Sequence, residues 1–304
     1  MRIHVNDPLD KLAMEKLKAS GYTVTEEHLE KEELIKEIPN IDVLVVRSAT
    51  KVTADIIEAG KNLKIIARAG TGLDNVDVEK AKEKGIKVIN TPGANGISVA
   101  ELTIGLMISC ARHIAKGTMD LKEGKWTKKQ LKGHELYKRT VGIIGFGNIG
   151  REVAKRLLAF EMNVLAYDPF IKETDLDVKI VDLETIFKES DIITVHVPLT
   201  NETKHLINQK AIEMMKDGII IINAARGGVV DEKALYDALV SGKVYAAGLD
   251  VFEVEPPTDE LRKKLLELPN VVATPHIGAS TVEAQLRVGQ IIVEKILEEI
   301  KNLK

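Results

Sequence analysis

Short β-branched and aliphatic runs alternate with amphipathic stretches along the whole chain. Arg2–Asn6, Tyr22–Thr25, Asp42–Val46, Lys64–Ala69 and Lys87–Asn90 read as strands, and the segments between them repeat apolar positions at helical spacing. This alternation predicts a parallel sheet covered by helices. A second series starts at Thr140–Gly145 and continues through Asn163–Tyr167, Asp191–Val195, Gly218–Asn223, Tyr245–Leu249 and Val271–Thr274. The expected fold is α/β, with two doubly wound parallel-sheet units.

Between the two series lies a turn-rich stretch, Asn90 to Gly96, followed by Ser98 and Glu101 at the spacing of a helix capping box. A long helix over about 99–118 is expected there. Ser280 and Glu283 repeat the signal and open a final apolar-periodic helix of about 20 residues, after which only Lys304 follows.

A length of 304 residues suggests about two domains of roughly 150 residues, and so a cleft between them. A net charge of -3 shows no basic excess to attract nucleic acid. No apolar run approaches the ~20 residues of a membrane span, and the first residues do not read as a secretory signal. Cys110 is the only cysteine, so no intrachain disulfide can form, and a cytoplasmic location is expected. No metal site is expected either.

Gly145-Phe146-Gly147-Asn148-Ile149-Gly150 fits G-x-G-x-x-G, a weak pattern alone. Its context makes it specific: an apolar strand precedes it, a helix beginning near Ile149 follows, and the next strand ends in Asp168, 18 residues past Gly150. Gly145 permits a tight turn, Gly147 lets backbone approach a pyrophosphate, and Gly150 lets helix and strand pack closely. The helix N-terminus then offers unpaired N–H groups to phosphate. Asp168 can accept from a ribose 2′-hydroxyl and would repel a 2′-phosphate, which favours NAD over NADP. It can equally cap a turn before Pro169.

Arg226, Glu255 and His276 lie in loops after strands of the second series, where such folds bind ligands. Histidine can give or take a proton near neutrality, a neighbouring carboxylate can hold its ring, and a guanidinium can grip a 2-oxo acid. Taken singly, each residue type in a loop is ordinarily just solvated. Read together, Gly145–Gly150, Asn223–Leu235, Asp250–Pro256 and Thr274–Gly278 resemble the D-isomer-specific 2-hydroxyacid dehydrogenase family, over essentially the whole chain. That resemblance implies that Arg226, Glu255 and His276 are catalytic, His276 moving the proton while paired with Glu255. It implies NAD contacts at Gly145, Gly147, Asn148, Ile149, Gly150, Asp168, Thr71, Val197, Ala224, Asp250 and Gly278, with Asp250 on the carboxamide. It also implies a flavodoxin-like substrate domain of residues 1–97 plus 281–304, with a Rossmann NAD domain, 98–280, inserted. A homodimer or homotetramer formed through the NAD domain is expected.

Val46–Val52 and Arg68–Asp77 resemble the substrate loops of the D-3-phosphoglycerate dehydrogenases, the entry step of serine biosynthesis. On that resemblance Arg47, Ser48, Arg68, Ala69 and Gly70 would hold a phosphorylated 2-hydroxy acid: the arginines as forked donors, the Ala69–Thr71 backbone as N–H donors. Both arginines could instead pair with surface acids. The expected form is a short one, lacking the C-terminal regulatory domain that many of that subgroup carry. A glyoxylate or hydroxypyruvate reductase is the main alternative, and an NAD-sensing corepressor a remote one.

Overall fold

Val43 to Val46 are buried at every position, which already dictates how the first unit is layered. Successive side chains of a strand point to opposite faces; here Val43 and Val45 enter one apolar core, Leu44 and Val46 another. The sheet is therefore covered on both sides. The structure, a computed structural model describing residues 1–303, divides into Met1–Asn95 with Ala279–Lys304, and Gly96–Gly278.

The first unit runs β1 (Arg2–Val5), α1 (Lys11–Lys18), β2 (Thr23–Glu26), α2 (Lys31–Glu37), β3 (Val43–Val46), α3 (Ala54–Ala59), β4 (Ile65–Arg68), α4 (Val78–Glu83) and β5 (Lys87–Ile89). All pairings are parallel, in the order β2-β1-β3-β4-β5. This is the flavodoxin-like winding, whose direction reverses between β1 and β3. Loops after β1, β3, β4 and β5 therefore gather at one edge of the sheet.

The second unit contains α5 (Gly96–Arg112), α6 (Ile114–Lys122), β6 (Thr140–Ile144), α7 (Asn148–Ala159), β7 (Asn163–Tyr167), β8 (Lys179–Ile180), α8 (Leu183–Glu189), β9 (Ile192–Val195), α9 (Gln209–Met214), β10 (Ile219–Asn223), α10 (Glu232–Ser241), β11 (Val244–Leu249), α11 (Glu260–Glu267) and β12 (Val271–Ala273). Its order, β12-β11-β10-β9-β6-β7-β8, is a Rossmann sheet with its reversal between β6 and β9. Ile220 and Ile222 face α5 and α7, while Ile219 and Ile221 face the opposite core. An uninterrupted isoleucine run is what a strand sandwiched between two helix layers requires; each such side chain stabilises by about 1.5–3 kcal/mol on full burial. The chain then returns to the first unit as α12 (Val282–Asn302), whose Ile292, Val293, Ile296 and Ile300 complete the core against α1.

Three local expectations need correction. The helix expected over 99–118 starts at Gly96, so Ser98 lies inside it, and it breaks at His113, whose left-handed backbone (φ 53°) turns α6 by 66°. His113 Nε2 meets the Tyr245 hydroxyl there, a partner on β11 that local periodicity could not reveal. Thr281, not Ser280, caps α12, accepting the Ala284 N–H at 3.1 Å. The two-residue strand β8 is too short to leave a periodic signal.

Candidate functional site

The glycine loop between β6 and α7 is shaped by two contacts within the protein and one demand from outside it. Gly145 has φ +95°, and a Cβ there would stand 2.6 Å from the His196 carbonyl oxygen; a Cβ on Gly150 would stand 2.2 Å from that of Gly145. Gly147 is different: its Cβ would meet nothing within 4 Å. Nothing in the fold requires glycine there, so the open space fits a ligand approaching the backbone. Gly147 is also the N-cap of α7 without any side-chain cap, and Asn148, Ile149 and Gly150 form the first turn, whose amides have no intrahelical acceptor. Asp168 ends β7 beside this loop, its Oδ2 accepting the Phe146 N–H and its Oδ1 the Phe170 N–H, each at 2.9 Å. Asp168 thus closes a turn, as one of its two sequence readings expects, and borders the glycine loop. Val197, just past β9, lies against Gly145 as well. The residues present fit a dinucleotide.

Arg226, Glu255 and His276 follow β10, β11 and β12, three neighbouring parallel strands, at their C-terminal ends. His276 Nδ1 lies 2.8 Å from Glu255 Oε2, and Glu255 Oε1 accepts the Phe252 N–H at 3.0 Å. Both carboxylate oxygens are used, one to fix the carboxylate and one to orient the ring. His276 has a left-handed backbone (φ 53°), unfavourable for a residue with a Cβ by about 1–3 kcal/mol. Asp250 holds it there. Buried at the end of β11, Asp250 accepts the Thr274 hydroxyl at 2.6 Å, the Ile277 N–H at 2.8 Å and the Gly278 N–H at 2.8 Å, and its carbonyl takes the His276 N–H at 2.8 Å. Asp250 therefore organises the histidine loop, a task its sequence motif did not disclose. A cavity of about 380 Å³, lined by Phe252, Pro256, Leu266 and Pro275, adjoins the His276–Glu255 pair.

Arg226 is partly buried; its guanidinium donates to the Ala225 carbonyl at 2.7 Å. Asn223 ties this turn together, donating to the Arg226 carbonyl at 2.9 Å and accepting the Ala225 N–H at 3.1 Å, which also fixes Ala224. Sequence reasoning missed the support behind Glu255. The Glu253 N–H donates to Glu232 Oε1 at 2.7 Å, and the nearly buried Arg262 guanidinium binds Glu232, Glu253 and Asp259 at 2.6–2.9 Å. Four charged residues scattered over 30 positions give no local pattern, though Asp231-Glu232 sits inside a motif already read.

In the first unit, Arg47 and Ser48 follow β3, and Ala69, Gly70 and Thr71 follow β4. The Arg68 side chain lies over Gly70, where a Cβ would collide with its guanidinium at 1.4 Å. The Thr71 hydroxyl donates to Asn95 Oδ1 at 2.8 Å, within its own unit.

Residues 104–278 match the family described as D-isomer specific 2-hydroxyacid dehydrogenase, NAD binding domain. A hydroxypyruvate reductase of Thermotoga maritima is 71% identical over 98% of this chain and 98% of its own. The chain belongs to the D-isomer-specific 2-hydroxyacid dehydrogenase family. It is an NAD-dependent enzyme of that family, resembling also a D-3-phosphoglycerate dehydrogenase of Archaeoglobus fulgidus, 52% identical over all of this chain. The dehydrogenase spans 58% of the length of that relative. Among solved structures, the D-lactate dehydrogenase of Aquifex aeolicus, complexed with NAD and lactic acid, superposes with a TM-score of 0.88 at 32% identity, over 99% of this chain and 96% of the other. No single helix among the described residues is long and apolar enough to cross a membrane.

Proposed function

We propose that this dehydrogenase reduces hydroxypyruvate to D-glycerate. The observation that carries the reading is the His276–Glu255 pair at 2.8 Å, together with 71% identity to a hydroxypyruvate reductase along both chains. NADH, when bound, would supply the hydride for C2. His276, with Nδ1 held by Glu255, gives a proton from its other ring nitrogen to the carbonyl oxygen, and takes it back in the reverse direction. Arg226 grips the substrate carboxylate and polarises the carbonyl. Gly145 to Gly150 hold the pyrophosphate, Asp168 the adenosine ribose, and Val197, Ala224, Asp250, Gly278 and Thr71 the rest of the cofactor. The unit formed by the chain's two ends is the substrate domain, with Arg47, Ser48, Arg68, Ala69 and Gly70 on the substrate.

A second reading, oxidation of 3-phosphoglycerate in serine biosynthesis, is favoured by Arg47 and Arg68, two guanidinium groups at the sheet edge where phosphate would be held. The exposed Ile114, Met119, Leu121 and Trp126 around α6 support assembly as a homodimer or homotetramer. A lone buried Cys110, with no disulfide to maintain, supports a cytoplasmic setting. Turnover of hydroxypyruvate, its 3-phosphate and glyoxylate with NADH tests the assignment. kcat/KM for hydroxypyruvate at least tenfold above the other two is expected; a preference for the phosphorylated substrate would establish the second reading instead.

A further inference from the structure

Asp7 belongs to none of the motifs that mark the site, and Asn75 lies in the Arg68–Asp77 stretch with no role read for it, yet both end on one loop. Asp7, just past β1 and 2% exposed, accepts through Oδ2 the backbone N–H of Arg47 at 2.6 Å and of Thr50 at 3.1 Å, and through Oδ1 the Thr50 hydroxyl at 2.6 Å. Asn75, past β4, donates its amide to the carbonyls of the same two residues, each at 2.6 Å. Both N–H groups thus go to one side chain and both carbonyls to another. Thr50 is further fixed by Asn6, whose amide donates to its hydroxyl at 2.7 Å. The Arg68 Nε–H reaches Asn75 Oδ1 at 3.4 Å, so the clamp joins the loops after β3 and β4.

Between the clamped ends, Ser48 and Ala49 are exposed, and their N–H groups make no hydrogen bond among the described residues. The position matters as well. β1 and β3 flank the reversal of strand order, where an open sheet of this winding leaves its ligand crevice. Here the Asp7 side chain occupies that point. A carboxylate accepting two backbone N–H groups makes bonds about twice as strong as neutral ones, while burying it is costly. A fold needing only a turn after β3 has no use for that expense.

We propose that Asp7 and Asn75 are positioning residues that hold the Arg47–Thr50 loop in one geometry, so that its open N–H groups and the Arg47 side chain meet an anionic group of the substrate, the carboxylate that Arg226 also grips or the phosphate of a phosphorylated substrate. This rests on the reading that the loop binds substrate. Holding donors in place before binding lowers the ordering cost of the complex, so the clamp acts on KM and leaves proton and hydride transfer to other residues.

The experiment compares Asp7→Ala, Asp7→Asn, Asn75→Ala and Arg47→Ala with the wild type, measuring kcat and KM on hydroxypyruvate and its 3-phosphate, the Kd of NADH, and amide exchange of the 47–50 segment. Asp7→Ala and Asn75→Ala should raise KM about tenfold or more on the better substrate, change kcat less than about threefold, leave the NADH Kd unchanged and speed exchange at the Arg47 and Thr50 amides, the two that Asp7 holds. Asp7→Asn keeps an acceptor oxygen and should recover most of the KM. If Asp7→Ala does not fold, Asn75→Ala and Asp7→Asn decide. Unchanged KM and exchange in Asn75→Ala, or a fall in kcat at constant KM, would overturn the proposal. If Arg47→Ala raises KM but the clamp variants do not, the clamp alone is wrong. Wild type inactive on both substrates sinks the functional reading, while the exchange data still report on the clamp.

Discussion

Asp168 Oδ2 accepts the Phe146 N–H at 2.9 Å, so the acid that ends β7 is fastened to the glycine loop it serves. A carboxylate held this way cannot swing aside for a 2′-phosphate. The wild type should therefore prefer NAD over NADP by at least about a hundredfold in kcat/KM, a difference of about 2.7 kcal/mol. Asp168→Ala should shrink the ratio by tenfold or more. Equal use of the two cofactors by the wild type would contradict this account.

The His276–Glu255 pair gives a graded expectation. His276→Asn should lower kcat by ~10²–10⁴-fold and leave NADH affinity nearly intact, because the proton step is lost while the cofactor site stays whole. Glu255→Gln should cost less, since the ring keeps a neutral partner. Near-normal turnover of His276→Asn at saturating substrate would remove histidine from the mechanism.

Cys110 is buried beneath Gly248, and burial pushes its thiol up to about 12. At pH 8 the folded protein should react with a chromogenic disulfide reagent roughly a thousandfold more slowly than the unfolded chain, the thiolate being the reactive form. Stoichiometric labelling within seconds under native conditions would show that α5 opens readily.

His196, whose Nε2 lies 3.0 Å from the Thr194 hydroxyl and whose Nδ1 is buried without a partner among the described residues, is pushed by burial down to about 3. Its folded value lies below the unfolded one, so the unfolded chain takes up the proton first as pH falls below about 6.5. Stability should be lost progressively from there towards pH 3, by about 2 kcal/mol at pH 5 from this residue alone. Burial lowers the pKa of His4 in the same direction. The Tm difference between pH 7.5 and pH 5 should narrow in His196→Asn; an unchanged difference would mean that the ring is protonated in the native state.

Met119 and Leu121 protrude from α6, more than half exposed. If α6 is part of a subunit interface, Met119→Glu with Leu121→Glu should shift the light-scattering mass towards one chain without changing the circular dichroism. A wild-type mass of one chain at micromolar concentration would dispose of that interface.

Much of this was legible because it is local. The isoleucine run of β10, the glycine spacing before α7 and the residues around His276 each announce themselves within about ten positions. What stayed hidden acts at long range. His113 looks like one more helical position until Tyr245, on another strand, meets it. Asp7 and Asn75 are single polar residues in turn-like surroundings, and their common target appears only once β1, β3 and β4 lie side by side. Asp250 was read for a cofactor contact, and its four bonds into the 274–278 loop depend on β11 and β12 being neighbours.

The insertion of one unit within the other also sets an order of assembly during synthesis. β1 to β5 leave the ribosome before the inserted unit, but the apolar face they share with α1 stays only partly covered until Val288, Ile292, Val293 and Ile296 emerge after that unit. The unit spanning Gly96–Gly278 is continuous and can fold as soon as β12 is clear of the exit tunnel. The nascent chain thus carries a half-covered sheet while the inserted unit is made, and α12 acts as the late closure that hides it. Stalled chains ending before Val282 should be captured by chaperones through the β1–β5 segment, with the inserted unit already resistant to protease.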